Sequence, residues 1–286
     1  MIRGGSGHLT RRDACGLLAA CALPLVVSRA ASAQPAPLPV NATDLDHFGF
    51  TVRDSVKTAE FFARAFDPQM FREMDSPTRL YVKLATAHMA IGDRAYWTRD
   101  DVELPVLDHI CARVQDYKEM ETQQALTAAG IELGAGRNFP VDPDGLFLQL
   151  GSAPGGMSRT IIPGGRVTHE DAIVQVMGLD HIMVGATDPE RSDKFYGLIF
   201  GKASARTANP ARFWYDVGGH TKLGVEKVAS GEKPSFQHFA LRVAGFDRNR
   251  AAERLAAIGA QIVPSNDEKL LRFRDPNGIL VELKPG

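Results

Sequence analysis

Two histidines and a glutamate in the carboxyl-terminal half of the chain, His181, His238 and Glu282, have the residue types and the surroundings of a metal site. Strand alternation places Ile182, Val184 and Ala186 on one face and His181 with Met183 and Gly185 on the other. The second histidine follows the same rule, with Phe239, Leu241 and Val243 on one face and His238, Ala240 and Arg242 opposite. In the last strand Ile279, Val281 and Leu283 share a face, and Leu280, Glu282 and Lys284 the other. Three apolar faces are thus free to pack helices, while the imidazoles and the carboxylate fall on mixed surfaces suited to a cavity wall. A carboxylate buried there requires a cation or strong donors, because an unpaired buried charge is costly. Two imidazoles and one carboxylate form the set that holds non-haem iron(II) with coordination positions left open, and manganese or zinc fits the same set. Asp180 directly precedes His181, and strict alternation turns it to the opposite face, so it is not assigned as that imidazole's partner.

These residues are part of a repeat. Leu45-Asp46-His47-Phe48, Leu107-Asp108-His109-Ile110, Leu179-Asp180-His181-Ile182 and Phe236-Gln237-His238-Phe239 each open a strand-like run. Helical spacing follows at 55–66, 116–129, 189–200 and 246–258, and further strands come after each. Leu80-Tyr81-Val82 ahead of Thr86, and Phe213-Trp214-Tyr215 ahead of Gly218-Gly219, are expected hairpin arms. The unit is strand, helix and several strands, four times over. A longer repeat lies over it: His47, His88, His109 and Gln149 recur as His181, His220, His238 and Glu282, at offsets of 134, 132, 129 and 133 residues. Two similar domains, 44–151 and 177–286, follow from that, joined by a Gly- and Pro-containing linker over 152–176. In the first domain Gln149 stands where the second has its carboxylate. An amide oxygen is a poorer ligand for a hard dication, so His47, His109 and Gln149 are expected to hold one less readily. His88 and His220 both occur as His-x-x-x-Gly after a hairpin turn, where an exposed turn residue and a functional one are both open readings.

The first 33 residues differ from the rest. Thr10-Arg11-Arg12 precedes an apolar run from Ala14 to Val27, and Ala31-Ser32-Ala33 offers small residues for cleavage before Gln34. This pattern is expected of an export signal of twin-arginine character, followed by a linker over 34–43, and it predicts a periplasmic or otherwise exported protein without a stable membrane anchor. Cys15 and Cys21 lie within that signal, so cleavage leaves Cys111 alone and no intramolecular disulfide. Over 286 residues, 44% hydrophobic and 23% charged, the chain is globular in composition. The 33 basic residues balance 34 acidic ones without a basic block, which argues against nucleic acid as a partner.

Four such units with His on the first strand, and Asp275-Pro276-Asn277-Gly278 ahead of Val281-Glu282-Leu283, resemble the vicinal oxygen chelate superfamily over about residues 44–285. That resemblance implies an α+β fold of four βαβββ modules paired into two similar domains with mixed, curved sheets. Within the superfamily the layout is most similar to two-domain extradiol dioxygenases, which carry iron in the carboxyl-terminal domain. The resemblance then makes His181, His238 and Glu282 the Fe(II) ligands and His220, followed by Thr221, the acid–base group acting on a catechol-like small molecule. It departs at Arg272, where a Tyr is usual, and around Val263 to Asn266, where a second non-ligand His is absent. Arg272 is expected to neutralise a substrate carboxylate or phenolate, or to be a solvated strand residue. A glyoxalase-like lyase or isomerase and a non-catalytic small-ligand-binding protein remain alternatives. The former normally has a fourth ligand between His181 and His238; Glu226 is the carboxylate on that strand, with the wrong parity relative to Leu223 unless a bulge intervenes. A homo-oligomer is left open.

Overall fold

Among the described residues there are four helices, and three of them begin where the sequence supplies a capping aspartate. Asp54 accepts the Lys57 N–H at 3.0 Å and opens α1 (Ser55–Phe66). The second helix, α2 (Glu119–Ala128), starts after Lys118 without a side-chain cap. Asp188 accepts from the Glu190 and Arg191 amides ahead of α3 (Pro189–Phe200), with Pro189 in the first turn. Asp247 accepts from Arg250 N ahead of α4 (Arg248–Ala257). All four fall within the expected helical spans. The computed structural model describes residues 38–66, 70–73, 76–93, 103–134, 139–152, 161–163, 172–218 and 220–286. The expected export signal, 1–33, lies outside the described residues, as do residues 34–37 of the linker that follows it. Among the described residues no helix is long and apolar enough to cross a membrane.

Fifteen strands are formed among the described residues. The first module contributes β1 (Ala42–Thr51), β2 (Met70–Glu73), β3 (Ser76–Leu84) and β4 (Ala87–Gly92), and the second β5 (Val106–Val114) and β6 (Phe147–Ser152). Between β6 and the next module, inside the expected linker, β7 (Ile161–Pro163) pairs with β2. The third module contributes β8 (Gln175–Ala186), β9 (Ala205–Ala208), β10 (Ala211–Asp216) and β11 (Lys222–Lys227). The fourth contributes β12 (Phe236–Ala244), β13 (Gln261–Val263), β14 (Leu271–Arg274) and β15 (Leu280–Pro285). Two mixed sheets result, ordered β6-β5-β1-β4-β3-β2-β7 and β13-β14-β15-β12-β8-β11-β10-β9. The fold is therefore α+β, with βαβββ-type modules in a two-domain layout.

The alternation read from the sequence is realised: Ile182, Val184, Phe239, Leu241, Val281 and Leu283 all belong to the core. That core is shared by both sheets and does not only back onto helices. Phe48 of β1 lies 5.1 Å from Phe239 of β12, and Phe50 lies 4.8 Å from Phe236, centroid to centroid. From α1, Phe61 and Phe62 reach Phe273 and Phe239. The fully buried rings among these, Phe48, Phe62, Phe239 and Phe273, each stabilise the fold by about 1.5–3 kcal/mol. Two tight turns seal the contact from either side. In Asp142-Pro143-Asp144-Gly145 the Asp142 carboxylate accepts from the Asp144 and Leu146 amides and from Tyr196 of α3 at 3.0 Å. In Asp275-Pro276-Asn277-Gly278 the Asp275 carboxylate accepts from the Asn277 and Ile279 amides, and the Asn277 amide donates to Thr58 of α1 at 2.8 Å. Gly278 sits at φ 96°, which an L side chain adopts only with strain. Each turn thus docks onto a helix of the other domain.

Candidate metal centre

Three neighbouring strands bring the predicted ligands together. Ala240 of β12 pairs with His181 of β8 on one side and Glu282 of β15 on the other, and His238 pairs with Met183. His181 Nε2 lies 3.0 Å from His238 Nε2. Glu282 Oε2 lies 3.5 Å from His238 Nε2 and 4.0 Å from His181 Nε2. All three residues are buried, at 8% exposure each, so their convergence is a feature of the interior.

The tautomers favour coordination. His181 donates Nδ1–H to Asp180 Oδ2 at 2.7 Å, because a carboxylate can only accept, and Nε2 is the ring atom turned to its neighbours. Burial, then the charges of His181, Arg272 and Arg212, pulls His238 down to a pKa of about 2, so it stays a neutral imidazole. Two imidazoles, a carboxylate and a common focus suit a divalent metal, and the residues present fit that group.

Asp180 corrects the expectation from alternation. Across β8 and β12, Ala240 pairs with His181 and Leu241 with Leu179, which leaves Asp180 as an extra, bulged residue. The bulge breaks the period of two and lets Asp180 reach the ring beside it. Lys284 Nζ at 2.6 Å and Arg242 Nη1 at 3.2 Å complete its surroundings. Burial pushes the Asp180 carboxyl up, but the hydrogen bonds from His181 and Lys284 outweigh it and hold the group well below the usual carboxylate range. The thrice-repeated Leu-Asp-His triplet was the signal for this role.

Arg272 is placed against a candidate ligand. Its Nε lies 2.9 Å from Glu282 Oε1, an ion contact without an aligned N–H, while Oε2 faces the imidazoles. His220 lies outside the strand, on the exposed turn that closes the β10–β11 hairpin, with φ 66°. Its carbonyl accepts from Arg242 Nη1 at 3.1 Å. The β11 residue paired with His181 is Lys222, whereas in the first domain His88 itself pairs with His47. The longer turn in the second domain shifts this part of the repeat by two residues. Glu226 also differs from expectation: it pairs with Gly185 in an unbroken register, so it shares the His181 face while Leu223 and Val225 enter the core. It is engaged by an ion pair with Arg212.

The sequence shows Trp214 only as a residue of a hairpin arm. Its ring meets His181 edge-on at 5.0 Å, and Arg212 Cζ lies 5.8 Å from its centroid. Opposite Trp214 on β11 stands Gly224, where an added Cβ would come within 2.5 Å of Met183 Cε and 2.8 Å of Trp214 Cζ3. Glycine is required for the ring and the thioether to close together beside the candidate metal ligands. Burial pulls the Arg212 guanidinium below its ordinary pKa; Glu282 opposes and Arg272 reinforces that shift, so two cations and an anion share this wall.

Residues 181–283 match the model of a glyoxalase-like domain. The fold is similar to that of the 2,3-dioxygenase LapB from Pseudomonas sp. KL28, at 15% identity and a TM-score of 0.64, covering 87% of this chain and 93% of that one. It is also similar to homoprotocatechuate 2,3-dioxygenase from Arthrobacter globiformis, at 14% identity and a TM-score of 0.60, covering 89% and 82%. The Mn(II)-bound glyoxalase from Novosphingobium aromaticivorans matches at 15% identity and a TM-score of 0.60, covering 86% and 83%.

Proposed function

We propose that this chain, a two-domain protein of the vicinal oxygen chelate superfamily with a glyoxalase-like domain over residues 181–283, is an exported extradiol-type ring-cleavage dioxygenase acting on a catechol-like small molecule. The observation that carries the proposal is the convergence of His181, His238 and Glu282 beside the edge-on Trp214 ring. Iron(II) held by that triad would supply Lewis-acid and redox chemistry at open coordination positions.

The protein's own groups have separable tasks. Asp180 fixes the tautomer and orientation of His181, and Arg272 occupies one oxygen of Glu282 so that the other turns inward. Trp214 and Met183 offer an apolar wall to a flat ring, and the cationic groups nearby favour an ionised hydroxyl over a neutral one. His220, on the exposed turn, exchanges protons with solvent and with a hydroxyl of the substrate.

Anaerobic reconstitution with iron(II), followed by oxygen and a panel of catechols, tests the reading. Oxygen uptake with a yellow ring-opened product is expected, and His220→Phe should slow turnover with metal content unchanged. No uptake from fully iron-loaded protein overturns ring cleavage. The second reading, a glyoxalase-like lyase or isomerase, is favoured by the match over 181–283 and by Glu226 on the metal-facing side of β11. Metal-dependent turnover of a carbonyl substrate without oxygen uptake would select it.

A further inference from the structure

The wall around Trp214 ends in a polar rung that the ligand triad does not use. Across β8, β11 and β10, Met183, Gly224 and Trp214 form one rung of paired residues, and Gly185, Glu226 and Arg212 form the next, about 6.6 Å farther along the strands. His238 stands level with the first of these rungs through its pairing with Met183. Phe213 and Tyr215 enter the core, so Arg212 and Trp214 share the face of the candidate ligands. A flat ring lying beside Trp214 and Met183, with its diol toward His181 and His238, would carry its far edge toward Arg212. A benzene ring with one substituent covers a comparable length.

At that rung the donors exceed the acceptors. Arg212 gives Nη2 to Glu226, and among the described residues neither its buried Nε nor its Nη1 has an acceptor. Gln237 is the second polar group there. It is the extra residue between the pairs Phe236–Val184 and His238–Met183, and Gly185 leaves room for its side chain: an added Cβ would come within 2.5 Å of Gln237 Nε2. The Gln237 amide makes no hydrogen bond to another described residue. Charge points the same way. Arg212 and Arg272 offset Glu226 and Glu282, so a dication bound by the triad adds an excess of positive charge in a wall that is only partly solvated. A singly ionised diol cancels half of that excess, and an acid group beside Arg212 cancels the rest. Arg272 is already engaged by Glu282 Oε1 at 2.9 Å, which leaves Arg212 as the cation for this task. Resting on ring cleavage for the diol itself, we propose that the substrate ring carries a carboxylate or comparable acid group on the side away from the diol, received by the remaining donors of Arg212 with the Gln237 amide beside them.

Isothermal titration of the iron(II)-loaded full chain without oxygen measures binding apart from turnover. The probes are 3,4-dihydroxybenzoate and its neutral counterpart 3,4-dihydroxybenzamide, which differ in charge and hardly in shape. The acid should bind roughly 10- to 100-fold tighter than the amide, the range of one hydrogen bond to a charged group. Arg212→Met should remove that preference, Arg212→Lys should keep part of it, and Glu226→Gln, which frees the guanidinium, should increase it. Iron content measured on each variant separates loss of the acid subsite from loss of the metal. Equal affinities in the parent protein, a preference that survives Arg212→Met, or binding of neither compound overturns the proposal. Should Arg212→Met fail to fold, Glu226→Gln decides, and a preference that does not rise overturns it. Oxygen uptake distinguishes the two readings: an acid preference without uptake keeps the subsite and removes ring cleavage, whereas uptake as fast and as tight with the amide as with the acid keeps ring cleavage and removes the subsite.

Discussion

The two domains present the same geometry with different chemistry. In each, two imidazoles from the first strands of adjacent modules meet at Nε2, 2.8 Å apart in the first domain and 3.0 Å in the second. In each, a bulged aspartate holds the first of the two rings and an arginine on the neighbouring strand holds that aspartate: Arg113 on Asp46 at 2.8 Å, and Arg242 on Asp180 at 3.2 Å. What differs is the third position, Gln149 against Glu282, and the second aspartate, Asp108 against Gln237. Backbone register alone therefore builds a converging pair of imidazoles in each domain, and the third residue, on the last strand, is where the two sets part, a carboxylate against an amide.

The largest effects should come from exchanging that residue. Glu282→Gln, which gives the second domain the third residue of the first, should weaken iron(II) or manganese(II) by more than the ~10–100-fold typical of losing an outer partner, because a charged ligand is lost outright. Gln149→Glu should do the reverse and give the first domain measurable affinity for those ions. Isothermal titration of both variants checks the pair. Unchanged iron affinity in Glu282→Gln would show that this carboxylate is not a ligand.

Next in size are the residues that orient the ligands. Asp180→Ala should cost roughly 10–100-fold in metal affinity, and Arg272→Met a comparable or smaller factor. If Arg272 instead bound a substrate anion, its loss would raise KM and leave metal content alone. Asp180 also gives a pH signature. Its folded pKa lies below the ordinary value of about 3.9, so its contribution to stability is complete above that pH and is lost as the pH falls through the folded value. Asp46, which burial pushes up and His47 and Arg113 hold down more strongly, has the same sign. Acid unfolding of Asp180→Asn and Asp46→Asn should therefore converge with that of the parent protein only in strong acid, and convergence already at pH 5 would contradict the assignment.

These orienting residues mark where the sequence stopped being legible. Helix spans, the core faces of β8, β12 and β15, and the triad itself follow from periods of 3.6 and 2 that hold within one element. Asp180 does not follow, because a bulge is decided by the pairing between two strands, and alternation counted along one strand inverts every side chain beyond it. The position of His220 is lost for a related reason, since turn length shifts the offset between hairpin arms and Lys222, not His220, pairs with His181. Trp214 was visible as a residue but not as a wall, because its role depends on Gly224 across the hairpin. Gly224→Ala tests that role. Its Cβ would crowd Met183, whose flexible end can yield, and Trp214, whose ring cannot without leaving His181. Overpacking of about 1–3 kcal/mol is expected, with substrate affinity reduced on the order of tenfold and metal retained. Equal substrate binding in the variant would remove Trp214 from the site.

The smallest expected effect concerns how the two domains are held against each other. Tyr196 of α3 donates to Asp142 in the first domain, and Asn277 of the second donates to Thr58 of α1, so each domain's turn is tied to the other's helix by one side-chain hydrogen bond. Tyr196→Phe removes the donor, leaving a carboxylate that burial already pushes above its ordinary pKa, although the Leu146 and Asp144 amides still donate to it. Thr58→Ala removes a neutral acceptor, and the Asn277 amide keeps Asp275 as an alternative at 3.1 Å. Hydrogen bonds to charged groups contribute about 1.5–3 kcal/mol and neutral ones about 0.5–1.5 kcal/mol, so Tyr196→Phe should lower Tm more than Thr58→Ala. For a chain of this size, roughly 2–4 °C per kcal/mol is expected. Differential scanning calorimetry on the metal-free protein resolves both shifts. A single cooperative transition in each variant, displaced but not split, is the outcome required by a core that Phe48 and Phe239 share across the two sheets. Separate transitions for the two domains would show that the tyrosine contact, and not the shared aromatic core, couples them.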